Sequence, residues 1–470
     1  MSEQKRTFVL QNRKDKILNP KSLYRMNRRK TVLAIVCLLV MPALGQQRWT
    51  LHDCLDYALQ NNIQIRKSRV SEEEGQVALW QNRGALLPSL SFATTQSMGY
   101  RPFEENTAIV QNGQVTNTSN KVTYQGNYGL NASWTVWNGG INQKNIKAQE
   151  LQNQITELGT QQSELTIQEQ IAQLYVQILY SSEAKKVNEQ LAETAKSQYE
   201  RGQEMQRQGQ MSKADVAQLE AQWKSAEYDI VSSETQILNY KRQLKALLEL
   251  DLSQPFDVAG TEPTAEQVLS PIPSAQSVYE QAIGSRPEIR SAELGIEAAD
   301  MSIDIARRGY YPTIAVSASA GDSHYSGSQD NVGKQMKTNL NLSAGVTVSV
   351  PIFDNRRNKS AVERAKLEKV NSQLDLQDKK NALSSTIENY WLNANSYQQR
   401  YLSARSKVES AETSYELLDA QFKNGLKNIV ELRQGHDALV SAKQDELQSK
   451  YMALLNMQLL KFYSGETINM

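Results

Sequence analysis

The stretch VTYQGNYGLNASWTV, residues 122–136, alternates between two kinds of side chain and decides the fold of this chain. One parity is apolar or aromatic and consists of Tyr124, Tyr128, Leu130, Ala132, Trp134 and Val136. The other parity is polar and uncharged, from Thr123 to Thr135. Because successive side chains of a strand point to opposite faces, this pattern predicts a β-strand with one apolar and one polar face.

Three further segments alternate in the same way. Residues 338–350 and 313–320 do so strongly, and residues 89–98 more weakly. None of the polar faces carries a charge over these spans. Two interpretations fit the pattern equally well: an antiparallel sheet that covers a soluble core, or the wall of a transmembrane barrel with lipid on one side and water on the other.

The strands recur because the chain is an internal repeat. Pro88 and Pro312 are 224 positions apart, and Gly209 and Gly425 are 216 apart, so the halves align around one eight-residue length change between the strands of a pair. We expect this division, in chain order: an N-terminal extension and signal peptide (1–45), a first repeat of helix, strand, strand, long helix and helix (46–250), a proline-rich connector (251–276), a second repeat (277–463) and a C-terminal tail (464–470).

Long helical stretches follow each strand pair. Residues 141–206 and 354–422 contain no proline, and as helices they would measure roughly 98 Å and 103 Å. Apolar residues between Leu151 and Leu179 recur with coiled-coil spacing. Two shorter helices, predicted over 62–85 and 212–250, match the first long helix when placed end to end.

The amino terminus has the form of a secretory signal. A basic group at 28–30 precedes the apolar run 31–41, and Ala43 and Gly45 precede the expected cleavage point. The alternative is a short membrane anchor, but the run is too short to span a bilayer comfortably. Met26 would open a signal of ordinary length and is the start that we favour. Cleavage leaves Cys54 as the single cysteine, which we expect to pack on the apolar side of a short helix.

Composition excludes several classes of protein. Residues 46–470 carry 42 Lys and Arg against 49 Asp and Glu, a net charge of −7, which argues against a nucleic-acid partner. A mean hydropathy of −0.57 excludes a polytopic helical membrane protein. The three histidines His52, His324 and His436 show no metal-ligand spacing, and no nucleophile or phosphate motif is present. We therefore expect neither an enzyme, nor a metal, nor a cofactor.

Four strands cannot close a membrane barrel, since the smallest such barrels have about eight. Open sheet edges are not tolerated in hydrocarbon, so transmembrane strands would require several chains to share one barrel. The long helices would then project from it on one side.

Taken together, these features resemble the TolC-like outer membrane efflux protein family. The resemblance rests on the repeat, on the helix-to-strand breaks at Pro88 and Pro312, and on the segments 134–140 and 350–354 that follow the strands. Its most specific part is the glycine turn before each last helix, in which an acid follows six residues later. It covers about 49–463, nearly all of the chain beyond the signal.

The resemblance implies a mainly α-helical chain with a small β part. It implies a homotrimer in outer membrane lipid, with a 12-stranded barrel of four strands per chain and a long coiled-coil barrel in the periplasm. A periplasmic adaptor and an inner-membrane pump would dock at the far end, and the chain would be a passive exit duct for small molecules in a tripartite efflux system. Two alternatives stay open: the outer membrane component of type I protein secretion, and a soluble periplasmic coiled-coil scaffold or adaptor.

The resemblance also assigns roles at the tip. Gly209 and Gly425 would form the turns that the adaptor touches. Asp215 and Glu431 lie in the first turns of the last helices, where a carboxylate favours the helix dipole and where three chains would assemble a ring of acids that forms a gate.

Other tip residues modify this expectation. Lys427 matches a position that can hold the tip closed. Gln434 stands where the family often has a second acid, with Asp437 as a possible substitute.

Near the strands, Tyr124, Tyr128 and Trp134 suit a membrane-interface aromatic belt, and 100–121 and 321–337 are expected to be extracellular loops.

Overall fold

The computed structural model describes residues 48–103, 107–111, 114–118, 121–251, 253–260, 262–326, 328 and 330–468. The predicted extension and signal peptide at 1–45, with the alternative start at Met26, lie outside the described residues.

Eight strands and ten helices make up the described part of the chain. In chain order they are β1 (Arg48–Trp49), α1 (Leu51–Asn61), α2 (Ile63–Gly84), β2 (Ser89–Tyr100), β3 (Thr107–Gln111), β4 (Gln114–Thr118), β5 (Val122–Asn138), α3 (Ile141–Arg207), α4 (Lys213–Leu247), β6 (Asp257–Val258), α5 (Ala265–Val268), α6 (Ala275–Ser285), α7 (Pro287–Arg308), β7 (Thr313–Tyr325), α8 (Val332–Thr338), β8 (Asn341–Ser349), α9 (Arg357–Lys423) and α10 (Ile429–Tyr463).

Both halves are built from helices of the same four lengths. Helices α1, α2, α3 and α4 have 11, 22, 67 and 35 residues, and α6, α7, α9 and α10 repeat these lengths. A 67-residue helix is about 100 Å long. The long helices predicted over 141–206 and 354–422 are confirmed to within three residues at each end, and so is the two-fold repeat.

Within the described residues, no helix is both long enough and apolar enough to cross a membrane.

The four predicted strands form one antiparallel sheet in the order β2-β5-β7-β8. Strands β5 and β7, one from each repeat, pair at its centre, and β2 and β8 form its edges. The register places all four apolar parities on one face: Leu130 lies opposite Phe92 and Ala320, and Ala320 lies opposite Leu342. The one-sided strands expected from the alternation are therefore confirmed.

The segments that join each strand pair contain regular structure. Within 100–121, strands β3 and β4 form a small hairpin. Within 321–337, β7 continues to Tyr325 and is followed by helix α8, whose Gln335 donates a hydrogen bond to the Tyr325 carbonyl oxygen at 3.1 Å. Sequence reasoning missed these elements because both segments are polar. Neither segment shows the alternation of a long strand or the apolar repeat of a long helix.

The helices share a core beside the middle of the long helix α3. Ile171 and Val176 of α3 and Leu244 of α4 are fully buried there, as is Cys54 of α1. The position expected for Cys54 is thus confirmed, and burial raises the pKa of its thiol to about 12. The connector crosses this core, where β6 pairs in parallel with β1.

A polar cluster ties the two repeats together beside this core. The hydroxyls of Tyr390 in α9 and Tyr463 in α10 both donate hydrogen bonds to Glu169 of α3. The guanidinium of Arg286 lies 3.8 Å from the centre of the Tyr463 ring. Contacts of this kind fix the long helices of the two repeats at one level along their length.

Candidate functional site

The apolar face of the sheet is uncovered. Phe92, Leu342 and Val346 expose 66%, 72% and 68% of their surface. Among the described residues, α8 is the one helix in extensive contact with the sheet, and it packs against β7. A continuous exposed apolar face marks contact with a partner or a membrane. Of the two interpretations of the strand pattern, the one in which the sheet covers a soluble core of its own chain is wrong.

The opposite face of the sheet is polar and uncharged. Hydroxyl groups meet across the strands, with Ser89 Oγ 2.7 Å from Ser133 Oγ and Ser319 Oγ 2.7 Å from Ser343 Oγ. Such a face is suited to contact with water.

Aromatic side chains lie towards both ends of the apolar face. Tyr124 and Trp134 are ten residues apart on β5, which is about 34 Å along the strand and about 25 Å across a membrane if the strand is tilted by roughly 40°. At the end of the sheet next to the helices, the indole Nε1 of Trp134 donates a hydrogen bond to the carbonyl oxygen of Leu86, 2.8 Å away. The spacing matches the height of the apolar band of outer membrane barrels, which is about 25 Å.

His324 lies near the end of the sheet that points away from the helices, where its ring packs against two tyrosine rings. Its ring centre lies 5.3 Å from that of Tyr124 and 5.8 Å from that of Tyr128. The ring covers Gly126, where a Cβ atom would clash with His324 Cε1. The glycine therefore makes room for the imidazole on the strand.

Proline marks the passage from helix to sheet in both repeats. Pro88 lies between the end of α2 at Gly84 and the start of β2. Pro312 occupies the same place between the end of α7 at Arg308 and the start of β7. Proline cannot continue a helix, so each sequence break coincides with a structural one.

At the other end of the long helices, the first repeat turns back at Gly209. The amide of Gly209 donates to Gln206 O at 2.9 Å, and the amide of Gln210 donates to Met205 O at 2.8 Å. Gly209 has φ +74°, in the left-handed region. These two hydrogen bonds and this conformation define a Schellman turn, in which glycine is favoured because it has no Cβ.

The second repeat turns back in the same way at Gly425. Its amide donates to Phe422 O at 3.0 Å, the amide of Leu426 donates to Gln421 O at 2.9 Å, and φ is +70°. The two tips therefore have the same backbone conformation and the same hydrogen-bond pattern.

The acids of the two tips are held differently. Asp215 bonds within its own turn, where Ser212 Oγ donates to Asp215 Oδ2 at 2.8 Å and accepts from the Asp215 amide at 3.1 Å. Glu431 forms a reciprocal capping box with Asn428. In addition, Lys427 Nζ donates to Glu431 Oε1 at 2.5 Å. This lysine, followed by the backbone amide of Asn428, lowers the pKa of Glu431.

Of the predicted tip residues, the structure brings Lys427 and Glu431 together. Gln434 is exposed on the next turn of α10. Asp437 lies beside His436, with its Oδ1 3.5 Å from His436 Nδ1. Among the described residues, Asp215 makes no hydrogen bond or ion pair outside its own turn.

Above the tips, the hairpin of α3 and α4 contacts the hairpin of α9 and α10. The residues that make this contact were not revealed by the sequence. Gln198 Nε2 of α3 donates to the Tyr415 hydroxyl at 2.5 Å and to Asp419 Oδ1 at 3.3 Å, both on α9. Arg201 and Lys423 also pair with Asp419. An apolar cluster surrounds these contacts and consists of Leu191, Leu219, Tyr415, Phe422, Ile429, Leu432 and Leu439. More than 200 positions separate Gln198 and Arg201 from their partners on α9, so no local pattern could have found these contacts.

The described residues contain no group of three or more His, Cys, Asp or Glu side chains that could hold a metal ion.

Comparison with known proteins gives a match over most of the chain. Residues 54–249 and 278–466 match the family described as outer membrane efflux protein. The alkaline protease secretion protein AprF of Pseudomonas aeruginosa is 21% identical over 417 residues, which are 87% of this chain and 82% of AprF. The outer membrane protein TolC of Salmonella enteritidis is 26% identical over 192 residues, which are 39% of each chain.

Solved structures have the same fold. A structure of CusC superimposes with a TM-score of 0.72 at 17% identity, over 90% of this chain and 96% of CusC. The outer membrane protein VceC of Vibrio cholerae superimposes with a TM-score of 0.69 at 16% identity, over 89% and 97% of the two chains.

Proposed function

The chain belongs to the outer membrane efflux protein family, and we propose that three copies of it assemble into the passive exit duct of a tripartite efflux system. It is an outer membrane efflux channel protein with a large periplasmic helical part, and the family consists of channel proteins.

One observation carries the trimer: the sheet has an uncovered apolar face and two open edges. Within the chain, β2 has 12 residues and β8 has 9, and neither pairs along its outer side with another described strand. Unpaired backbone groups cost several kcal/mol each in hydrocarbon, so the edges require partners there. Three copies would join β2 of one chain to β8 of the next and close a barrel of twelve strands, a size within the range of known barrels.

The helical parts would form the periplasmic half of the duct. Helix pairs about 100 Å long, one from each repeat in each chain, would give twelve helices around one axis. The turns at Gly209 and Gly425 stand farthest from the sheet along each chain and are the surface that we assign to the periplasmic adaptor, with the inner-membrane pump beyond it.

We place the gate at the same end. Three copies of Asp215 and Glu431 would set up to six carboxylates near the axis, where like charges repel and attract cations. Lys427 would offset part of this negative charge through its ion pair with Glu431. Gln434 is uncharged and adds none. The net charge of −7 over residues 46–470 is in keeping with a cation-preferring duct.

Two measurements test the proposal. Chemical cross-linking in native membranes is expected to give a trimer, and a product limited to monomer or dimer would contradict it. The purified protein in a planar bilayer is expected to conduct ions with a preference for cations. Replacing Asp215 and Glu431 together by Ala should reduce that preference without dissociating the trimer. An intact trimer with unchanged selectivity would show that these acids only cap helices.

Protein secretion is a second candidate. It is favoured by the match to AprF, named a protease secretion protein, which extends over 82% of that chain. Deletion of the gene separates the two functions. Accumulation of small toxic compounds in the cells supports efflux, whereas retention of a protein normally found in the medium supports secretion.

A further inference from the structure

A cavity of about 330 Å³ lies between the two helical hairpins, two to three helical turns above the tip of the second repeat. Helices α3, α4 and α10 line it. It is bounded by polar side chains on all three, among them Asn188, Gln222 and His436. None of the tip residues discussed above except Asp437 contributes to it.

His436 is the unusual member of this lining. It is 96% buried, since its side chain and backbone expose 4% of their surface. Neither ring nitrogen has a hydrogen-bond partner in the protein, and the buried Nε2 of Gln222 has none either. The Oδ1 of Asp437 is 3.5 Å from the imidazole, too far for a good hydrogen bond. Burying polar groups without hydrogen-bond partners costs free energy. These groups therefore destabilise the packed contact between the two hairpins.

We propose that His436 and this cavity form an acid-sensitive contact between the α3–α4 hairpin and α10, in which proton uptake by the buried imidazole drives the two hairpins apart. The contact would couple the acidity of the periplasm to the opening of the tip. The opening of a channel rests on the proposed function, whereas the separation of the hairpins can be measured by itself.

Charged or titratable side chains face His436 from three of the helices packed around it. Asp229 faces the cavity from α4, and Arg433 and Asp437 face it from α10. From α9 the ring of Tyr415 meets the imidazole edge-on at 5.8 Å between centres. The tyrosine stays neutral, because burial raises its pKa to about 12. From α3 the lining is uncharged.

Burial outweighs the neighbouring acids. It lowers the pKa of His436, and Asp437 offsets only part of the effect. When the hairpins part, the imidazole reaches water and its pKa returns to about 6.5. The parted state therefore binds the proton more tightly. The packed contact is fully stable above this value, and it weakens as the pH falls below it.

The size of the effect follows from one proton per hairpin contact. The ratio of parted to packed hairpins should rise by up to about tenfold for each pH unit between 6.5 and the lowered pKa of the packed state.

The experiment uses the full-length protein with spin labels on cysteines at Glu220 of α4 and Ala438 of α10, both exposed. The distance between the labels is expected to lengthen from pH 7.5 to pH 5. His436→Leu and His436→Gln, which remove the titrating group with an apolar and a polar replacement, should abolish the change. His52→Leu is the matched control, because His52 is exposed and pairs with Asp56 far from the cavity. It should respond like the unmodified protein.

Bilayer conductance over the same pH range gives the second measurement. Conductance that rises on acidification in the unmodified protein and in His52→Leu, but not in the His436 variants, supports the proposal. A label distance that is constant with pH, or that changes equally in the His436 variants, would overturn it. A protein that never conducts, yet shows the His436-dependent distance change, contradicts the channel function and leaves the acid-sensitive contact in place.

Discussion

The two ends of this molecule satisfy their side chains in opposite ways. In the sheet, Phe92 and Leu342 leave about two thirds of their surface uncovered within the chain. Near the tips, Leu219 and Leu432 are buried in an apolar cluster to which both hairpins of the same chain contribute. The sheet is thus incomplete as a monomer, whereas the hairpins already have a core.

The difference shows where assembly and membrane are indispensable. A two-faced, open-edged sheet gains its stability from lipid and from neighbouring chains. The hairpin tips depend on local backbone geometry and on caps, each of which contributes about 1 kcal/mol. Changes in the sheet should therefore affect the whole assembly, and changes at the tips should remain local.

The largest effect is expected from a charge on the apolar face. Leu130→Arg places a guanidinium near the middle of β5, where Leu130 lies between Phe92 and Ala320. An arginine on the lipid side of a barrel costs about 2–4 kcal/mol at the midplane, and a trimer contains it three times. We expect loss of a detergent-stable trimer and of outer membrane insertion, measured by electrophoresis without boiling and by membrane fractionation.

The neighbouring residue provides the control. Asn131 points to the opposite face, where it lies across from Ser91 and Ser319. Asn131→Arg should assemble normally and change only conductance. Equal loss of assembly in both variants would show that the two faces do not differ as proposed.

A smaller, local effect is expected at the tip turns. Gly209 and Gly425 have open space where a Cβ would go, so alanine there meets only backbone strain. The left-handed conformation costs a non-glycine residue roughly 1–2 kcal/mol. Gly209→Ala and Gly425→Ala should each accelerate amide hydrogen exchange in the adjoining helix ends, with little effect at the sheet.

Gly159 is a matched control, because it lies inside α3 and a Cβ atom there would also meet open space. Gly159→Ala should stabilise the helix by about 0.5–1 kcal/mol. Slower exchange after substitution at all three glycines would contradict the role assigned to the turns.

The smallest effect distinguishes the two tips from each other. In Lys427→Met the carboxylate of Glu431 loses its lysine partner, so the pKa of Glu431 should rise towards its ordinary value. The contribution of the ion pair to tip stability is present above that ordinary value and is lost as the pH falls through the lowered pKa. Carboxyl NMR of labelled glutamate provides the measurement.

The first tip serves as the internal reference, since the partner of Asp215 is Ser212 and not a lysine. Amide hydrogen exchange at that tip should be the same in both proteins. A Glu431 titration that does not move in Lys427→Met would show that the lysine contact is absent in solution.

Much of the fold could be predicted from the sequence because it is written in local periods. The period of two in 122–136 gave strand β5 and its faces, and the proline-free stretch 141–206 gave helix α3 nearly to the residue. Gly209 and Gly425 were found because a left-handed turn restricts residue type locally. The bulge between Thr135 and Trp137, which sets Trp137 opposite Ile314 on the apolar face, was not foreseen.

The sequence by itself therefore determined the elements, their two-fold repetition and the sidedness of each strand. It left open whether the apolar strand faces lie on a soluble core. Only the tertiary structure decided this, by aligning all four on one face whose large apolar side chains stay exposed within the described chain. Tertiary structure also decided the contact of Gln198 with Tyr415 and Asp419, and the burial of His436 without partners. The physical reason is range: periodicity acts over a few residues along the chain, whereas packing joins residues more than 200 positions apart.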